Sequence, residues 1–230
     1  MKVAIHQPQF MPWLGYFHKM ACCDIFVILD DVQYKRREWQ NRNRIKSPNG
    51  LIWLTVPVIY RLGQAINETI IDKTKNWQKE HKNGVMLYYS KAKHFKDIYP
   101  RLLRLWETPY EKFIDVAMDS IEIIRDVLNI KTKLIFSSTL NIDKKKTERL
   151  IEVCKRLGAN TYLSGQGAKD YLDIEKFKTQ GIKVVWQDFK HPIYPQLWGE
   201  FAPNLSAIDF ILNCGGGEKD MLLDRRKTYA

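Results

Sequence analysis

Several absences narrow this chain before any motif is read. No apolar run approaches the roughly 18 residues that a membrane span needs, and the opening MKVAIHQPQF lacks the basic-then-apolar pattern of a secretion signal. The four cysteines, Cys22, Cys23, Cys154 and Cys214, form no C-x-x-C pair, which argues against a zinc framework and against a disulfide scaffold. The expectation is a cytoplasmic protein with reduced thiols and no structural metal. With 12 Gly and 9 Pro in 230 residues, the chain is neither fibrous nor low in complexity. The nucleotide signatures GxxxxGK[ST] and GxGxxG are missing, as are the hydrolase elbow GxSxG and the zinc-peptidase HExxH. No cofactor is named by the sequence.

What is abundant is positive charge. Lys and Arg number 37 against 26 Asp and Glu, a formal net charge of +11. Such a surface favours anionic partners: nucleotides, phosphorylated sugars, nucleic acid or acidic lipid. The length suits one large domain.

The hydrophobic pattern alternates between strand and helix. Lys2 to His6 and Ile25 to Leu29 read as short strands buried on both faces, with a helix from Trp13 to Cys22 between them, which is a βαβ unit. Residues 51 to 60 predict a further strand, in which Pro57 forces the second half to an edge. From 76 to 129 the spacing is helical. Leu134 to Ser138 is strand-like. Asp143 to Leu157 predicts a helix capped by Asp143 or Thr147 and stopped by Gly158. Thr161 to Leu163, a helix from Ile174 to Gln180, and Ile182 to Trp186 complete the series. The fold class is therefore α/β with a mainly parallel, Rossmann-like sheet and a helical insertion around 76–129. The chain is read as one domain over 1–230, with a mobile tail from about 216.

Ligands of open parallel sheets bind outside the carboxyl ends of the strands, and polar residues gather at three such ends. The first is His6-Gln7-Pro8-Gln9, followed by His18 near the helix start. His6 and His18 suit proton transfer or a phosphoryl contact, and the helix start suits an anion. Against that stands the plain alternative of a satisfied core histidine and a surface one. The second end is Asp30-Asp31, which suits a cation, a ribose or a base, or simply a turn cap. The third is Ser164-Gly165-Gln166-Gly167 with Lys169, a candidate phosphate loop or a tight turn.

The strongest charge feature is YKRREWQNRNRIK. Between Lys35 and Lys46 it holds six basic residues and one acid, interleaved with Trp39, Gln40, Asn41 and Asn43. It reads as a loop. Arg42 and Arg44, with Asn43, could grip phosphate or carboxylate. Aromatic and basic residues together also suit single-stranded nucleic acid, but no RNA- or DNA-binding motif accompanies them.

The stretches AIHQPQFMPWLGYFHKM, DIFVILDDVQY, EWQNRNRIKSPNG with LTVPV, TYLSGQGAKDYLD and HPIYPQLWGEFAPNLSAIDFILNCG resemble the WbqC-like family over nearly the whole chain. The resemblance implies a place in bacterial or archaeal surface polysaccharide (O-antigen) biosynthesis. The expected activity is a transferase on a nucleotide-activated amino sugar, with acyl or aminoacyl transfer as the reaction. In that reading His6, His18 and Asp30 are catalytic. Gln7, Gln9, Asp31, Arg42, Asn43, Arg44, Ser164, Gly165 and Lys169 bind substrate. The opening is also similar to the nucleotidylyltransferase type of α/β fold, although no literal HxGH or KMSKS-like loop is present. An ATP-using nucleotidylyltransferase or adenylate-forming ligase stays open as an alternative. So does a non-catalytic protein that binds nucleotide, sugar or RNA.

Overall fold

A computed structural model describes residues 1–216; the expected mobile tail falls, but for its first residue, outside the described residues. In chain order the elements are β1 (Lys2–His6), α1 (Leu14–Ala21), β2 (Ile25–Ile28), β3 (Arg42–Ser47), β4 (Gly50–Thr55), β5 (Val58–Ile59) and β6 (Ile70–Ile71). There follow α2 (Trp77–Tyr89), α3 (Phe95–Glu107), α4 (Phe113–Val127), β7 (Lys133–Phe136), α5 (Lys146–Arg156), β8 (Thr161–Ser164), α6 (Ile174–Thr179), β9 (Lys183–Trp186) and α7 (Ala207–Cys214).

Five strands make the central sheet, all parallel, in the order β7-β2-β1-β8-β9. The chain winds outward from β1 through β2 to β7, then returns to the other side of β1 and continues through β8 to β9. This is the doubly wound arrangement of a Rossmann-like fold, and winding reverses between β1 and β8.

The apolar runs of the strands are explained by burial on both faces. Side chains alternate across a strand, so Ala4, Phe26, Ile28 and Leu163 point into a core shared with α1, α3, α4 and α7. Val3, Ile5, Val27 and Tyr162 point into a second core beneath α5 and α6. Helices thus cover both faces, as a parallel sheet requires.

Two features differ from the sequence expectation. The basic segment is not wholly a loop: residues 42–47 form β3, paired antiparallel with β4, because Asn43 and Ile45 alternate inward while Arg42 and Arg44 point out. Helix α5 begins only at Lys146, and neither Asp143 nor Thr147 caps it. Gly158 does end it, at φ +68°. Pro57 separates β4 from the two-residue β5, whose only strand partner among the described residues is the equally short β6.

The first helix between β6 and β7, α2, is fastened by a buried carboxylate. Asp209, on α7, accepts hydrogen bonds from Tyr89 Oη (2.7 Å), Tyr194 Oη (2.8 Å) and Gln196 Nε2 (2.9 Å). Tyr89 Oη in turn accepts from the backbone N–H of Lys46 on β3 (2.9 Å). One side chain therefore joins α7, α2, the 190s segment and the β3–β4 hairpin. Burial raises the pKa of Asp209, opposed by those three donors and by Lys46. Replacing Asp209 with Ala strands several buried donors, each worth about 1–3 kcal/mol. Chemical denaturation of Asp209→Ala should show a loss of about 3 kcal/mol or more; a loss below about 1 kcal/mol would remove this residue from the role given it.

Candidate functional site

The carboxyl ends of β1, β8 and β9 open into a cleft of about 990 Å³ at the point where the winding reverses. Each wall comes from a different element. From β1 come His6 and Gln7; from α1 and the turn before it, Trp13, Gly15, Tyr16 and Lys19; from the segment after β8, Ser164 to Ala168; from β9 and beyond, Gln187 and Phe189; and from the start of α5, Lys146, Thr147 and Arg149.

His6 stands edge-on to Tyr16, with ring centroids 4.9 Å apart. Its Nδ1 lies 3.0 Å from the carbonyl oxygen of Gln7. A carbonyl only accepts, so Nδ1 carries the proton and Nε2 keeps its lone pair. Burial, and next the charge of Lys19, push the pKa of His6 down to about 3. The ring is therefore neutral throughout the physiological range.

Lys19 reaches up from α1 and donates to the carbonyl oxygen of Ile5 on β1 (2.9 Å). Only 4% of it is exposed, and burial lowers its pKa to about 8. The helix presents Gly15 and Lys19, four residues apart, on the side facing the cleft. Gly15 is required there: a Cβ at this position would fall 2.3–2.7 Å from the indole of Trp13, which folds back over the helix backbone.

Gln187 clamps the first turn of α1. Its Nε2 donates to the carbonyl of Gly15 (2.8 Å) and to Nδ1 of His18 (3.0 Å). His18 is thus a neutral acceptor, buried against Phe189 (5.2 Å) and one side chain removed from the cleft. The glycine segment after β8 forms a 3₁₀ turn (Gln166–Ala168), with Gln166 Nε2 bonded to the carbonyl of Gln187 (2.6 Å). The space beside Gly165 and Gly167 is open, so their backbone is exposed to whatever enters.

Arg149 is held from behind by an ion pair with Asp31, which also accepts from Ser137 Oγ. Lys35 enters from the loop after β2, whose Gln40 bridges the N–H of Lys35 (2.9 Å) and Oε1 of Gln7 (2.8 Å). Among the described residues that line the cleft are four cations, Lys19, Lys35, Lys146 and Arg149, and no carboxylate. After pairing of Arg149 with Asp31, the charges of three lysines remain uncompensated.

The other sequence candidates lie elsewhere. Asp30 is buried and accepts from Ser138 N (3.0 Å), Ser138 Oγ (2.7 Å), Ser137 Oγ (3.1 Å) and Asn67 Nδ2 (3.1 Å), tying β2 to the end of β7. It borders a separate depression of about 540 Å³. Asn43 is buried and donates to the carbonyl of Met11 (2.7 Å). Arg42 and Arg44 lie on the outer face of the hairpin over Trp53. Gln9 is half-buried outside the cleft, and the ammonium of Lys169 lies over the ring of Trp186 at 5.6 Å. The structure therefore gathers His6, Gln7, Ser164 and Gly165 into one cleft and leaves His18 and Asp31 behind its walls. Lys19, Lys146, Arg149 and Gln187 escaped the sequence reading. A lysine inside the apolar run of α1 and a glutamine directly after β9 were the available signals.

Fold and cleft together define a doubly wound α/β protein with a cation-lined cleft at its switch point. The chain belongs to the WbqC-like protein family, which matches residues 7–221. It is similar to the "Uncharacterized protein Rv1507c" of Mycobacterium tuberculosis (strain ATCC 25618 / H37Rv), 40% identical over 225 residues and covering 96% of this chain and 97% of that protein. No solved structure matches the chain.

Any anion that enters beside Lys19 meets a charge that depends on pH. The pKa of Lys19 drops on folding from 10.5 to about 8, so the folded state releases its proton first. Stability should rise between about pH 8 and 10.5 on this account, while anion affinity falls over the same range. Calorimetric titration of inorganic pyrophosphate from pH 6.5 to 9.5 should show that decline, and Lys19→Met should flatten it. A decline of equal steepness in the variant would assign the effect to another group.

Proposed function

We propose that this protein is a transferase acting on a nucleotide-activated amino sugar, with the diphosphate of the substrate bound in the β1/β8 cleft. One observation carries the reading: cations and no described carboxylate line a cleft whose remaining walls mix aromatic, amide and aliphatic side chains with glycine backbone. Its volume suits a ligand of nucleotide-sugar size. Lys19, Lys146 and Arg149 meet the phosphates, and the start of α5 adds the positive end of its dipole. The open backbone at Gly165 and Gly167 supplies further donors, and Gln7 and Ser164 contact the substrate beside them. Trp13 and Phe189 provide flat surfaces for a base or a sugar ring.

In this proposal the amino nitrogen of the sugar bonds to the acyl carbon, and the bond from that carbon to the donor's carrier breaks. His6 takes the amino proton through Nε2 and passes it to the departing carrier. A group titrating near 3 is a weak base in the empty cleft. A bound diphosphate offsets the charge of Lys19, one of the two causes of that depression, and so raises the basicity of His6 only when substrate is present. The electrostatic hold on the diphosphate positions the sugar against the acyl or aminoacyl donor. His18 and Asp31 act at one remove, through Gln187 and Arg149. Membership in the WbqC-like family, with the polysaccharide context its resemblance implies, supports the same substrate class.

A thermal-shift screen of UDP-, dTDP-, GDP- and CMP-sugars and ATP, each with and without Mg²⁺, tests the reading. One nucleotide sugar should raise the melting temperature, and Lys146→Ala should reduce that rise. A shift with ATP alone overturns the proposal in favour of an adenylate-forming reaction. Once a substrate is found, His6→Ala should lose at least about a hundredfold in turnover with affinity changed by less than about threefold; full turnover in the variant would take His6 out of the mechanism.

A further inference from the structure

The β3–β4 hairpin carries a surface that the cleft does not use. Across this antiparallel pair Arg44 faces Trp53 and Arg42 faces Thr55, so these side chains share the outer face while Ile45 and Leu54 are buried beneath. Trp39, from the preceding loop, lies beside Trp53 with ring centroids 5.2 Å apart and planes tilted by 42°. The Arg42 guanidinium carbon sits 4.3 Å from the centre of the Trp53 ring, and that of Arg44 lies 5.3 Å from Trp39 and 5.6 Å from Trp53. Both indoles nevertheless remain 42% and 44% exposed. Water-facing tryptophans in adjacent positions are uncommon without a partner.

The charges here lack a counter-ion among the described residues, although Arg42 Nη2 donates to the backbone carbonyl of Arg37 (2.5 Å). Among the described residues, Arg36, Arg37, Arg42 and Arg44 form no ion pair. Buried Nε of Arg44 has no hydrogen-bond partner among the described residues. The nearby amides are consumed within the fold, Asn41 on the carbonyl of Val56 (2.7 Å) and Asn43 on that of Met11 (2.7 Å). The face consequently offers hydrogen-bond donors and aromatic surface, with Glu38 as the one nearby carboxylate in the 35–46 segment. A saccharide needs acceptors for its hydroxyl groups. A phosphodiester needs only donors, and bases supply flat rings to stack.

We propose that the outer face of the β3–β4 hairpin binds single-stranded nucleic acid, with Trp39 and Trp53 stacking on bases and the guanidinium groups of Arg42 and Arg44 on phosphates. A duplex hides its base faces, so the tryptophans select for the single strand. This inference stands apart from the reading of the cleft, because neither arginine and neither tryptophan lines it.

Fluorescence anisotropy with labelled U15 and dT15, and with a duplex of the same length, tests it at 50 and 200 mM salt. Single strands should bind more tightly than the duplex and weaken with salt. Trp53→Ala should reduce affinity about tenfold or more, and Trp53→Phe should restore part of it. Arg44→Ala should lower the salt slope by roughly 0.7. A circular dichroism melt of each variant separates a lost contact from a lost fold. Equal binding of duplex and single strand, or no effect of Trp53→Ala in a folded variant, overturns the proposal. So does an anionic polysaccharide that binds through Trp53 when U15 and dT15 do not bind at all. Lys146→Ala should leave oligonucleotide binding unchanged, which keeps this outcome distinct from that of the cleft.

Discussion

The reversal of winding between β1 and β8 is the constraint from which the site follows. Right-handed crossovers place α1 on one face of the sheet and α5 on the other. Between them the strand ends open into the cleft, bordered by the loop carrying Lys35 and the segment carrying Phe189. The starts of both helices then border the same gap, together with the ends of β1 and β8. Backbone N–H groups and helix dipoles favour anions there before any side chain is considered. Three lysines and an arginine from three stretches of chain repel one another there, and a bound anion would offset that repulsion.

The carboxylates of the region are arranged to leave that potential intact. Asp30 is saturated by two serines and an asparagine between β2 and β7. Asp31 turns behind the cleft to fix Arg149. Asp209 is committed to the junction of α2, α7 and the hairpin. Each is buried or half-buried and multiply bonded, as the cost of taking a carboxylate from water demands. Adjacent Asp30 and Asp31 share the Ser137 hydroxyl and then differ in their other partners, Ser138 and Asn67 for the first and Arg149 for the second.

Much of the sheet was legible because parallel strands covered on both faces are written as unbroken apolar runs, clearest in IFVIL and KVVW. The strand-end rule likewise brought His6, Gln7, Ser164 and Gly165 into view. Charge hid β3: the alternation in RNRIK is that of a strand, but three basic residues in five suggested a solvated loop. Helix α7 escaped because all eight of its residues are buried, so only Asp209 and Asn213 interrupt an apolar run too short to mark an exposed face. The roles of Lys19, Arg149 and Gln187 were illegible for a different reason, although a lysine in the apolar run of α1 and a glutamine after β9 marked two of the positions. Their roles come from tertiary neighbours distant in sequence, as when Gln187 meets Gly15 across 172 positions, and no local pattern encodes such a meeting.

The strand order also sets a schedule for synthesis. Strand β1 lies at the centre of the sheet, yet its second neighbour, β8, pairs Lys2 with Thr161. At ribosomal rates of about 5–20 residues per second, that partner emerges roughly 8–30 s after the first strand. In the interval the nascent chain holds β1 with one flank open and apolar side chains on both faces, the kind of edge that recruits other strands. Contacts of such long range slow folding as well. The architecture that creates the cleft therefore leaves one flank of β1 unpaired in the growing chain until β8 is made.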